Sequence, residues 1–358
     1  MIFLDGSHGE GGGALIRTAL AFSALTGLTF EVDNIRAGRP QPGLKAQHLA
    51  AIKALEQICN GKTNEVNIGS EKLRFVPGKV KRGIYEIEIG TAGSISLVLQ
   101  AIIPPCLFAP GKITLKISGG TCGKWQASVD YISNILFPQL RRFVEKIELK
   151  VLKRGYYPKG NGLVEVEIVP RYHSFAEFIE KRHDLRLYDL KQQGTLEHIK
   201  GFINLSKELE EKEVGRRIND SIKPYLKDHD VPITIDVEYA DSLSTGGEVL
   251  LWAIFSRDGQ ADYENPLILG SDVLIEKGKR SEDIAKEAAD KLKEEISSGA
   301  VVDHFLADQL IPYLALLPGS VMKTGKVSDH ALTNIHVVER FLPVKFEVEK
   351  GVVTVRLV

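Results

Sequence analysis

The sequence predicts an α+β protein made of three repeated βαβα-type units, each a sheet backed by two helices, with a small inserted αβ domain. Three observations support this prediction. A glycine-rich loop, an apolar helix, a strand, a polar loop and an amphipathic helix follow one another three times. Runs of alternating polar and apolar residues, typical of half-buried strands, lie between the copies. A segment from about residue 184 to residue 277 interrupts the spacing of the repeats.

The bulk composition limits what the protein can bind. The 358 residues carry a formal net charge of −1, so a surface that grips long nucleic acid is not expected. Any contact with nucleic acid should be local, at an end or at a short single strand. Three widely spaced cysteines form no disulfide framework, which favours a reducing cytosol. The longest apolar stretch, residues 95–109, contains prolines and polar residues and is too short to span a bilayer.

The first copy begins with the glycine-rich loop 9–13, which precedes an apolar helix predicted over residues 14–26. Glycines before a helix let backbone N–H groups approach an anion, although they equally permit tight helix packing. Glu10 in this loop would repel a phosphate unless a cation such as Mg²⁺ joins the two. Arg17 is the one cation of the apolar helix, so it either reaches solvent or reaches back to an anion.

A predicted strand over residues 29–35 leads into the polar loop 36–43 and then into an amphipathic helix over residues 44–59. The loop carries Arg36 and Arg39 around a proline–glycine turn. Guanidinium groups match phosphate oxygens in pairs, which makes an anion site one interpretation. A solvated basic loop is the alternative. The matching position of a histidine in the third copy favours the anion site.

The second and third copies follow the same order. For the second copy the sequence predicts a glycine-rich loop 90–94, a helix 95–108, a strand 112–118, a polar loop 119–124 and a helix 125–144. For the third copy it predicts a helix 301–317, a strand 319–324, a polar loop 325–329 and a helix 331–341. Because the polar loops occupy the same place in each unit, we expect them to converge on one cleft in a roughly threefold arrangement. This would bring together the loops of Arg36 and Arg39, of Thr121 and Cys122, and of His330.

Residues 184–277 are predicted to form the inserted domain, and residues 1–183 and 278–358 the repeat-built catalytic domain. Within the insert, a charged helix is predicted from Leu205 to Tyr225. Its run of glutamate and lysine is typical of a solvated helix face. The strand-like runs of the insert are residues 199–204, 233–239 and 248–256.

His330 is the most informative histidine of the chain. It lies in a polar segment just before an apolar helical run, with Thr333 and Asn334 as neighbours. An exposed ring nitrogen supported by hydroxyl and amide groups is what a covalent nucleophile needs. His48, in contrast, is as readily an ordinary partly buried histidine. A nucleophilic histidine beside two predicted phosphate-binding loops indicates nucleotidyl transfer.

Two polar residues are out of place in apolar helices. Gln100 lies within the predicted helix 95–108, and Asp308 lies within the predicted helix 301–317. A buried amide needs a hydrogen-bonding partner. A carboxylate in an apolar helix either sits at its wet edge or is paired with a charged group. The sequence therefore predicts a hydrogen-bonding partner for Gln100 and leaves both interpretations open for Asp308.

Together these motifs resemble the RNA 3′-terminal phosphate cyclase family of the archaeal and bacterial type. The matching stretches are residues 5–6 with 10–13 and Arg17; 35–39 with 42–44 and 47–48; 93–94 with 97–100; 118–121; 155–158 with Gly160; 307–309; and His330 with 332–334. Their order and spacing are specific, and they run from residue 5 to residue 334. The resemblance therefore covers nearly the whole chain.

The resemblance implies three repeated αβ units with an inserted domain, and a ligase-type, ATP-dependent enzyme of the cytoplasm that acts on RNA 3′-phosphate ends. In the implied reaction His330 takes AMP from ATP and releases pyrophosphate. AMP then passes to the RNA 3′-phosphate as an RNA-(3′)pp(5′)A anhydride, and the ribose 2′-hydroxyl displaces it to give a 2′,3′-cyclic phosphodiester. Mg²⁺ or Mn²⁺ is the implied metal. No membrane partner is implied, and a homo-oligomer is left open.

The resemblance also assigns roles to single residues. His330 is the implied nucleophile, and Glu10 is the implied metal contact. Phe305 stands where the family often has tyrosine. Because phenylalanine keeps the aromatic ring, stacking on adenine is still compatible with the resemblance. The implied ATP- and phosphate-binding residues are Glu10, Arg17, Arg36, Arg39, Gln47, Gln100, Phe305, Asp308 and Gln309.

The chain departs from the family pattern in one loop, and two alternative functions remain. Cys122 stands where the family commonly has aspartate, and Ala127 and Ser128 replace a proline pair, in a loop predicted to border the nucleotide. One alternative is a non-catalytic, cyclase-like RNA-binding factor in rRNA processing, but such proteins lack the histidine. The other is an enolpyruvyl transferase, whose chains contain more repeat units and use no histidine–nucleotide chemistry.

Overall fold

The computed structural model describes residues 1–90, 92–257, 259–260 and 262–358. Within these residues, helices and strands alternate, and the strands form four mixed sheets of four strands each. The predicted α+β class is therefore confirmed. Thr91, which belongs to the predicted loop 90–94, lies outside the described residues.

The first sheet contains the strands β1 (Ile2–Asp5), β2 (Phe30–Asp33), β3 (Lys62–Thr63) and β4 (Leu73–Val76). Its order is β1-β2-β4-β3, with β1 and β2 parallel and the other pairs antiparallel. Helix α1 (Ala14–Thr26) joins β1 to β2, and helix α2 (Ala46–Cys59) joins β2 to β3. The apolar run of α1 ends at Gly27, whose φ of 78° is the left-handed conformation common after a helix.

The second sheet repeats this order with β5 (Gly83–Glu88), β6 (Ile113–Gly119), β7 (Val144–Lys153) and β8 (Gly162–Pro170). Helix α3 (Ile95–Cys106) joins its two parallel strands. The predicted helix 125–144 is shorter in the structure. It comprises α4 (Val129–Tyr131), a π-helical turn (Ile132–Leu136) and α5 (Phe137–Leu140). Ser128 sets its start, because the Ser128 side chain accepts the N–H of Tyr131.

Helix α6 (Phe175–Lys181) and strand β9 (Asp189–Leu190) precede a sheet of β10 (Thr195–Ser206), β11 (Ile233–Ala240), β12 (Gly247–Ser256) and β13 (Leu267–Leu274). The helix predicted from Leu205 to Tyr225 is wrong at its start. Leu205 belongs to β10 and is paired with β11 and β12, and helix α7 (Val214–Leu226) begins only after a turn. Helix α8 (Ser281–Ser297) packs on α7, β12 and β13, although it lies beyond the predicted end of the insert.

Helix α9 (His304–Leu314), strand β14 (Val321–Lys323), helix α10 (Asp329–Phe341) and strands β15 (Val344–Glu349) and β16 (Val352–Leu357) complete the described chain. The last sheet has the order β15-β16-β14-β9, with β9 parallel to β14. Its strand order and orientations match those of the first two sheets. Strand β9 lies inside the predicted limits of the insert, yet it pairs with β14.

Helix α1 occupies the centre of the core. It is buried along nearly its whole length and contacts α2, α3 and α10. Packing of apolar faces fixes the directions of these helices, so that the loop before α1 lies beside the start of α10. Within the described ranges, every helix is too short or too polar to cross a lipid bilayer.

Candidate active site

The two predicted anion-binding loops of the first unit touch each other. Gly11 has a φ of 54°, and a side chain at this position would place its Cβ atom 2.9 Å from the backbone nitrogen of Gly38. Both the left-handed conformation and this close approach favour glycine. The contact brings Glu10 of one loop next to Arg39 of the other, and these side chains form an ion pair.

Glu10 also meets His330 of the third unit. The Oε1 atom of Glu10 lies 3.0 Å from Nδ1 of His330, although the angle is not that of a well-formed hydrogen bond. The Glu10 side chain is only 8% exposed, whereas that of His330 is 44% exposed. Glu10 thus connects the first and third units beneath a histidine ring that stays accessible.

The charges at this contact reinforce each other. Burial alone would raise the pKa of Glu10, but His330, Arg39 and Arg17 outweigh it and hold that pKa below its ordinary value. The Glu10 carboxylate raises the pKa of His330 above its ordinary value against the effect of burial, and Asp308 adds to this shift. The site therefore stabilises a negative Glu10 and a positive His330.

His330 lies in the first turn of α10 and not in a loop as the sequence predicts. The side chain of Ser328 accepts the N–H of Ala331 at 3.0 Å, so the helix begins at Asp329. The Ser328 hydroxyl also donates to the Asp308 carboxylate. This hydroxyl group joins the start of α10 to α9 and gives the Asp308 carboxylate a neutral hydrogen-bonding partner.

Asn334 ties three helices together one turn further along α10. Its side-chain oxygen accepts from the Thr18 hydroxyl at 2.7 Å, and its side-chain nitrogen donates to the backbone oxygen of Asp308 at 2.8 Å. Because α1, α9 and α10 are linked in this way, the position of His330 relative to Arg17 and Asp308 is well determined.

Arg17 and Gln100 are partners across the α1–α3 interface. The Arg17 Nε atom donates to the side-chain oxygen of Gln100 at 2.9 Å. Burial lowers the pKa of Arg17 to about 10, so the guanidinium group remains charged at neutral pH. A side chain at Gly13 would place its Cβ atom 2.7 Å from an Arg17 terminal nitrogen and 2.5 Å from His48 Nε2. Gly13 therefore provides the space that both side chains occupy.

The site contains a histidine whose role the sequence does not reveal. His48 is buried, and its Nδ1 accepts the backbone N–H of Lys45 at 3.0 Å. Its Nε2 has no hydrogen-bonding partner among the described residues. Burial, Arg17 and Arg36 lower the pKa of His48 to about 3, so the ring is neutral and Nε2 carries the hydrogen. A buried donor without a partner lies next to Gly13 and Arg17. In the sequence, the only signal for this arrangement is that His48 stands three residues after Lys45, where its ring can accept the Lys45 N–H at the start of α2.

Arg36 stabilises its own loop. Its guanidinium group donates to the backbone oxygens of Gln41 at 2.7 Å and Gly43 at 3.0 Å. Arg36 has a φ of 58°, a left-handed conformation that these two bonds support. Burial and the nearby Arg39 lower its pKa. Arg36 thus adds positive charge to the site, while these two hydrogen bonds hold its guanidinium group against its own loop.

The remaining predicted residues lie on helices α2 and α9, which also carry His48 and Asp308. Gln47 lies partly buried in the first turn of α2. Gln309 is buried on α9, where its amide nitrogen donates to the Phe305 backbone oxygen at 3.2 Å and its side-chain oxygen has no partner in the described part of the chain. The Phe305 ring packs edge-on against Tyr131, with centroids 5.9 Å apart.

A cleft of roughly 640 Å³ adjoins α9 and shares Phe305 with the predicted site. Residues 123–126, the end of β13, helix α8 and residues 324–326 line the rest of it. The cleft is not centred on the Glu10–His330 contact. The loops of the first and third units meet, whereas the second-unit loop lines this cleft. Thr121 bonds to the Gly155 backbone at 3.2 Å, and Cys122 is buried. The convergence is therefore only partly as predicted.

A metal site made of protein groups alone is not present in the described ranges. No three His, Cys, Asp or Glu side chains there are grouped to hold an ion. Glu10 is a single carboxylate, and it is already paired with Arg39. Mg²⁺ commonly uses one or two carboxylates together with phosphate oxygens of a nucleotide. Glu10 fits the second kind of site.

The fold and the site define an α+β protein with an arginine-rich site around an accessible histidine. A profile described as RNA 3′-terminal phosphate cyclase matches residues 8–348. Proteins named RNA 3′-terminal phosphate cyclase are similar to this chain over nearly their whole length. The one from Pyrococcus furiosus is 39% identical over 98% of this chain and 96% of its own. The one from Methanopyrus kandleri is 38% identical over 97% of this chain and 95% of its own.

The chain belongs to the RNA 3′-terminal phosphate cyclase family. The match covers both the glycine-rich first loop and the segment that carries His330. These comparisons confirm the predicted family and the prediction of an enzyme within it.

Proposed function

We propose that this protein uses ATP to convert the 3′-terminal phosphate of RNA into a 2′,3′-cyclic phosphodiester. The contact of His330 with Glu10, next to Arg39 and Arg17, is the observation that carries the proposal. It combines an accessible nucleophile, an acidic partner for one ring nitrogen and positive charge for phosphates.

In the first step the Nε2 atom of His330 attacks the α-phosphorus of ATP. The Nε2–phosphorus bond forms as the bond to pyrophosphate breaks. Since Nδ1 faces Glu10, Nε2 is the ring nitrogen left to react. Nδ1 keeps its hydrogen, and the Glu10 carboxylate offsets the positive charge that the ring gains. This is how a buried carboxylate orients and stabilises a catalytic histidine.

The next two steps transfer AMP and then release it. An oxygen of the RNA 3′-phosphate attacks the phosphorus of His330-bound AMP, which breaks the nitrogen–phosphorus bond and forms the RNA-(3′)pp(5′)A anhydride. The ribose 2′-hydroxyl then attacks the RNA phosphorus, loses its proton and displaces AMP. A terminal phosphate is a poor electrophile until one of its oxygens becomes a good leaving group, and AMP provides that group. The 2′-hydroxyl restricts the reaction to RNA.

The other residues of the site would bind phosphates or hold groups in place. Arg17, Arg36 and Arg39 would neutralise phosphate charge, and the Nε2–H group of His48 would donate to one phosphate oxygen. Gln100 holds Arg17, and Asp308 holds the start of α10 through Ser328. Gln47 and Gln309 would supply amide groups for the nucleotide, and Phe305 would contact its base.

Glu10 would hold a Mg²⁺ or Mn²⁺ ion together with phosphate oxygens of the bound nucleotide. Such an ion would offset negative charge on the phosphates when bound. The single buried carboxylate supports this arrangement, in which the nucleotide supplies most of the ligands.

We also propose that the three units are related by a pseudo-threefold arrangement, which the shared strand order of three sheets supports. The sequence predicts that the inserted domain comprises residues 184–277. We propose instead that it begins near β10 and ends at the end of α8. Pairing of β9 with β14 and packing of α8 on β12 and β13 support the change.

A cytosolic location and a homo-oligomer stay predictions.

Labelling with ATP that carries a radioactive α-phosphate tests the function. Wild-type protein with Mg²⁺ or Mn²⁺ should acquire an acid-labile label, and His330→Asn should not. His183→Asn is the matched control, because His183 is exposed and lies far from the site in the chain. RNA with a 3′-phosphate should then consume the label. Folded wild-type protein that stays unlabelled after pyrophosphate removal would contradict the proposal and favour a non-catalytic RNA-binding factor.

A further inference from the structure

Trp125 is the most exposed large apolar side chain of the described residues, with 93% of its surface accessible. It lies in the turn after strand β6, where Cys122 precedes it and Ser128 starts the next helix. Its φ of 61° places a bulky aromatic residue in the left-handed conformation, which costs about 1–3 kcal/mol. Neither the exposure nor this conformation contributes to stability.

Trp125 lines the same cleft as Phe305. Phe305 lies in the first turn of α9, and Asp303 fixes that turn by accepting the N–H groups of Phe305 and Leu306 at 3.0 Å each. Tyr131 packs against the Phe305 ring and also donates to Asp303 at 2.6 Å. One aromatic residue of the lining is thus held in the wall by hydrogen bonds and ring packing, and the other, Trp125, presents an exposed indole.

The charges in the cleft are largely compensated. Lys124 pairs with Glu276 at 2.6 Å, and Lys291 pairs with Glu287 at 3.1 Å. His304 lies 2.7 Å from Glu295. Such walls suit a flat uncharged group better than a triphosphate, whose charge matches the arginines around Glu10. The cleft is also close to the reacting histidine, because Phe305 and Asp308 are one helical turn apart and Asp308 bonds to Ser328.

We propose that Trp125 is a specificity-determining residue that stacks on the purine base of the nucleotide co-substrate in the cleft lined by Phe305. The inference rests on the proposed function, since it takes ATP as the ligand. It assigns a role to the loop that contains Cys122, Ala127 and Ser128. An indole stacked on the base would raise affinity for purine nucleotides and would leave the chemistry at His330 unchanged.

Fluorescence reports on this contact independently of activity. The chain has two tryptophans, and the other one, Trp252, is only 8% exposed. In the variant Trp252→Phe all tryptophan emission comes from Trp125. We expect AMP and ATP to quench it and pyrophosphate to leave it unchanged. Should this variant fold poorly, the difference between wild type and Trp125→Phe isolates the same signal.

Kinetics of histidine labelling provide the second readout. Trp125→Ala should raise the KM for ATP about tenfold with little change in kcat, and Trp125→Tyr should restore most of the affinity. Tyr263→Ala is the matched control, because Tyr263 is 78% exposed and does not line the cleft.

The outcomes separate this inference from the proposed function. Labelled His330 with unchanged Trp125 emission and an unchanged KM would overturn the stacking role and leave the cyclase function intact. Quenching by pyrophosphate alone, or by a 3′-phosphorylated RNA but not by AMP, would also overturn it. Quenching by AMP in a protein that never becomes labelled would support the base site while the cyclase function fails.

Discussion

The Nδ1 atom of His330 and the Oε1 atom of Glu10 lie 3.0 Å apart, and this contact joins the loop before α1 to the first turn of α10. The carboxylate is nearly buried and is also paired with Arg39, whereas the ring is accessible. One contact therefore turns Nδ1 of the histidine towards a carboxylate and raises the pKa of the ring.

The pH dependence of labelling should reveal this contact. In the proposed mechanism Nε2 of His330 reacts only without a proton, and Glu10 raises the pKa of the ring, so the rate should rise as pH increases through that raised pKa. Glu10→Gln should move the rise to lower pH and reduce the plateau rate about 10²-fold. Labelling rates between pH 5 and pH 9, with an NMR titration of His330, check this expectation. Equal midpoints in both proteins would contradict it.

The same contact affects stability in a defined pH window. The raised pKa of His330 adds stability below its unfolded value, and this is lost as pH rises through the folded value. The lowered pKa of Glu10 adds stability above its unfolded value, and this is lost as pH falls through the folded value. Wild type should therefore exceed Glu10→Gln in free energy of unfolding between these limits. Urea denaturation at several pH values measures the difference, which should shrink at both extremes.

Arg17→Lys should weaken ATP binding. Lysine keeps the charge, but its donors are all on one nitrogen, whereas the guanidinium group can bond Gln100 through Nε and a phosphate through its terminal nitrogens. We expect the KM for ATP to rise roughly tenfold, the size of a hydrogen bond to a charged group. In the double variant with Gln100→Ala the effects should be less than additive. Arg216→Lys on the exposed face of α7 serves as the control.

Gly13→Ala should disturb both stability and activity. The added Cβ atom would lie within 2.7 Å of Arg17 and within 2.5 Å of His48, two side chains with little freedom. We expect a loss of roughly 1–3 kcal/mol in the free energy of unfolding, and slower labelling. At Gly111, the Cβ atom would meet only the flexible chain of Arg82 at 3.0 Å. Gly111→Ala should therefore retain both properties, and a loss as large as that of Gly13→Ala would argue against the steric explanation.

Metal binding should require the nucleotide. Glu10 offers one carboxylate, so Mg²⁺ alone should barely change the melting temperature, whereas Mg²⁺ with ATP should raise it. Thermal denaturation with each ligand separately and together tests this. A clear shift with Mg²⁺ alone would indicate a preformed protein site.

Arg154 provides a prediction away from the site. It is 3% exposed and bonds to Asp130 of α4 and to Glu238 of β11. Arg154→Met would leave the Asp130 carboxylate buried without its partner, at a cost of about 3–5 kcal/mol in urea denaturation. The exposed pair of Arg216 and Glu213 should contribute almost nothing, so Arg216→Ala is the matched control.

The sequence predicts the fold well where local signals and tertiary packing agree. Helix α1 has the predicted limits, because an apolar run is bounded by glycine on both sides. The helix expected from Leu205 fails at its start, because Leu205 is held in β10 by pairing on both edges of that strand. Residues 207–213 then form a short 3-10 helix and a turn before α7 begins. Strand β9 has two residues and is defined only by its distant partner.

In the site, too, single residues can be recognised from the sequence, whereas most contacts between them cannot. Gln100 and Arg17 are each recognisable as polar residues in apolar helices, and the structure shows that they are partners. The contact of Glu10 with His330 depends on how α1 packs on α10, which no local pattern encodes. From the sequence His48 resembles an ordinary buried histidine. Only the structure shows that its unpartnered Nε2 lies next to Gly13, in the glycine-rich loop.

The pairing of β9 with β14 can form only late in synthesis. Asp189 pairs with Val321, so the ribosome has to deliver everything from β10 to α9 between two strands that lie side by side. Closing so long a segment costs little extra free energy, but it delays the contact until the last part of the chain has been made. A chain interrupted before β14 lacks most of the last sheet together with His330, the proposed nucleophile. On the proposed mechanism, such an incomplete chain could not take AMP from ATP.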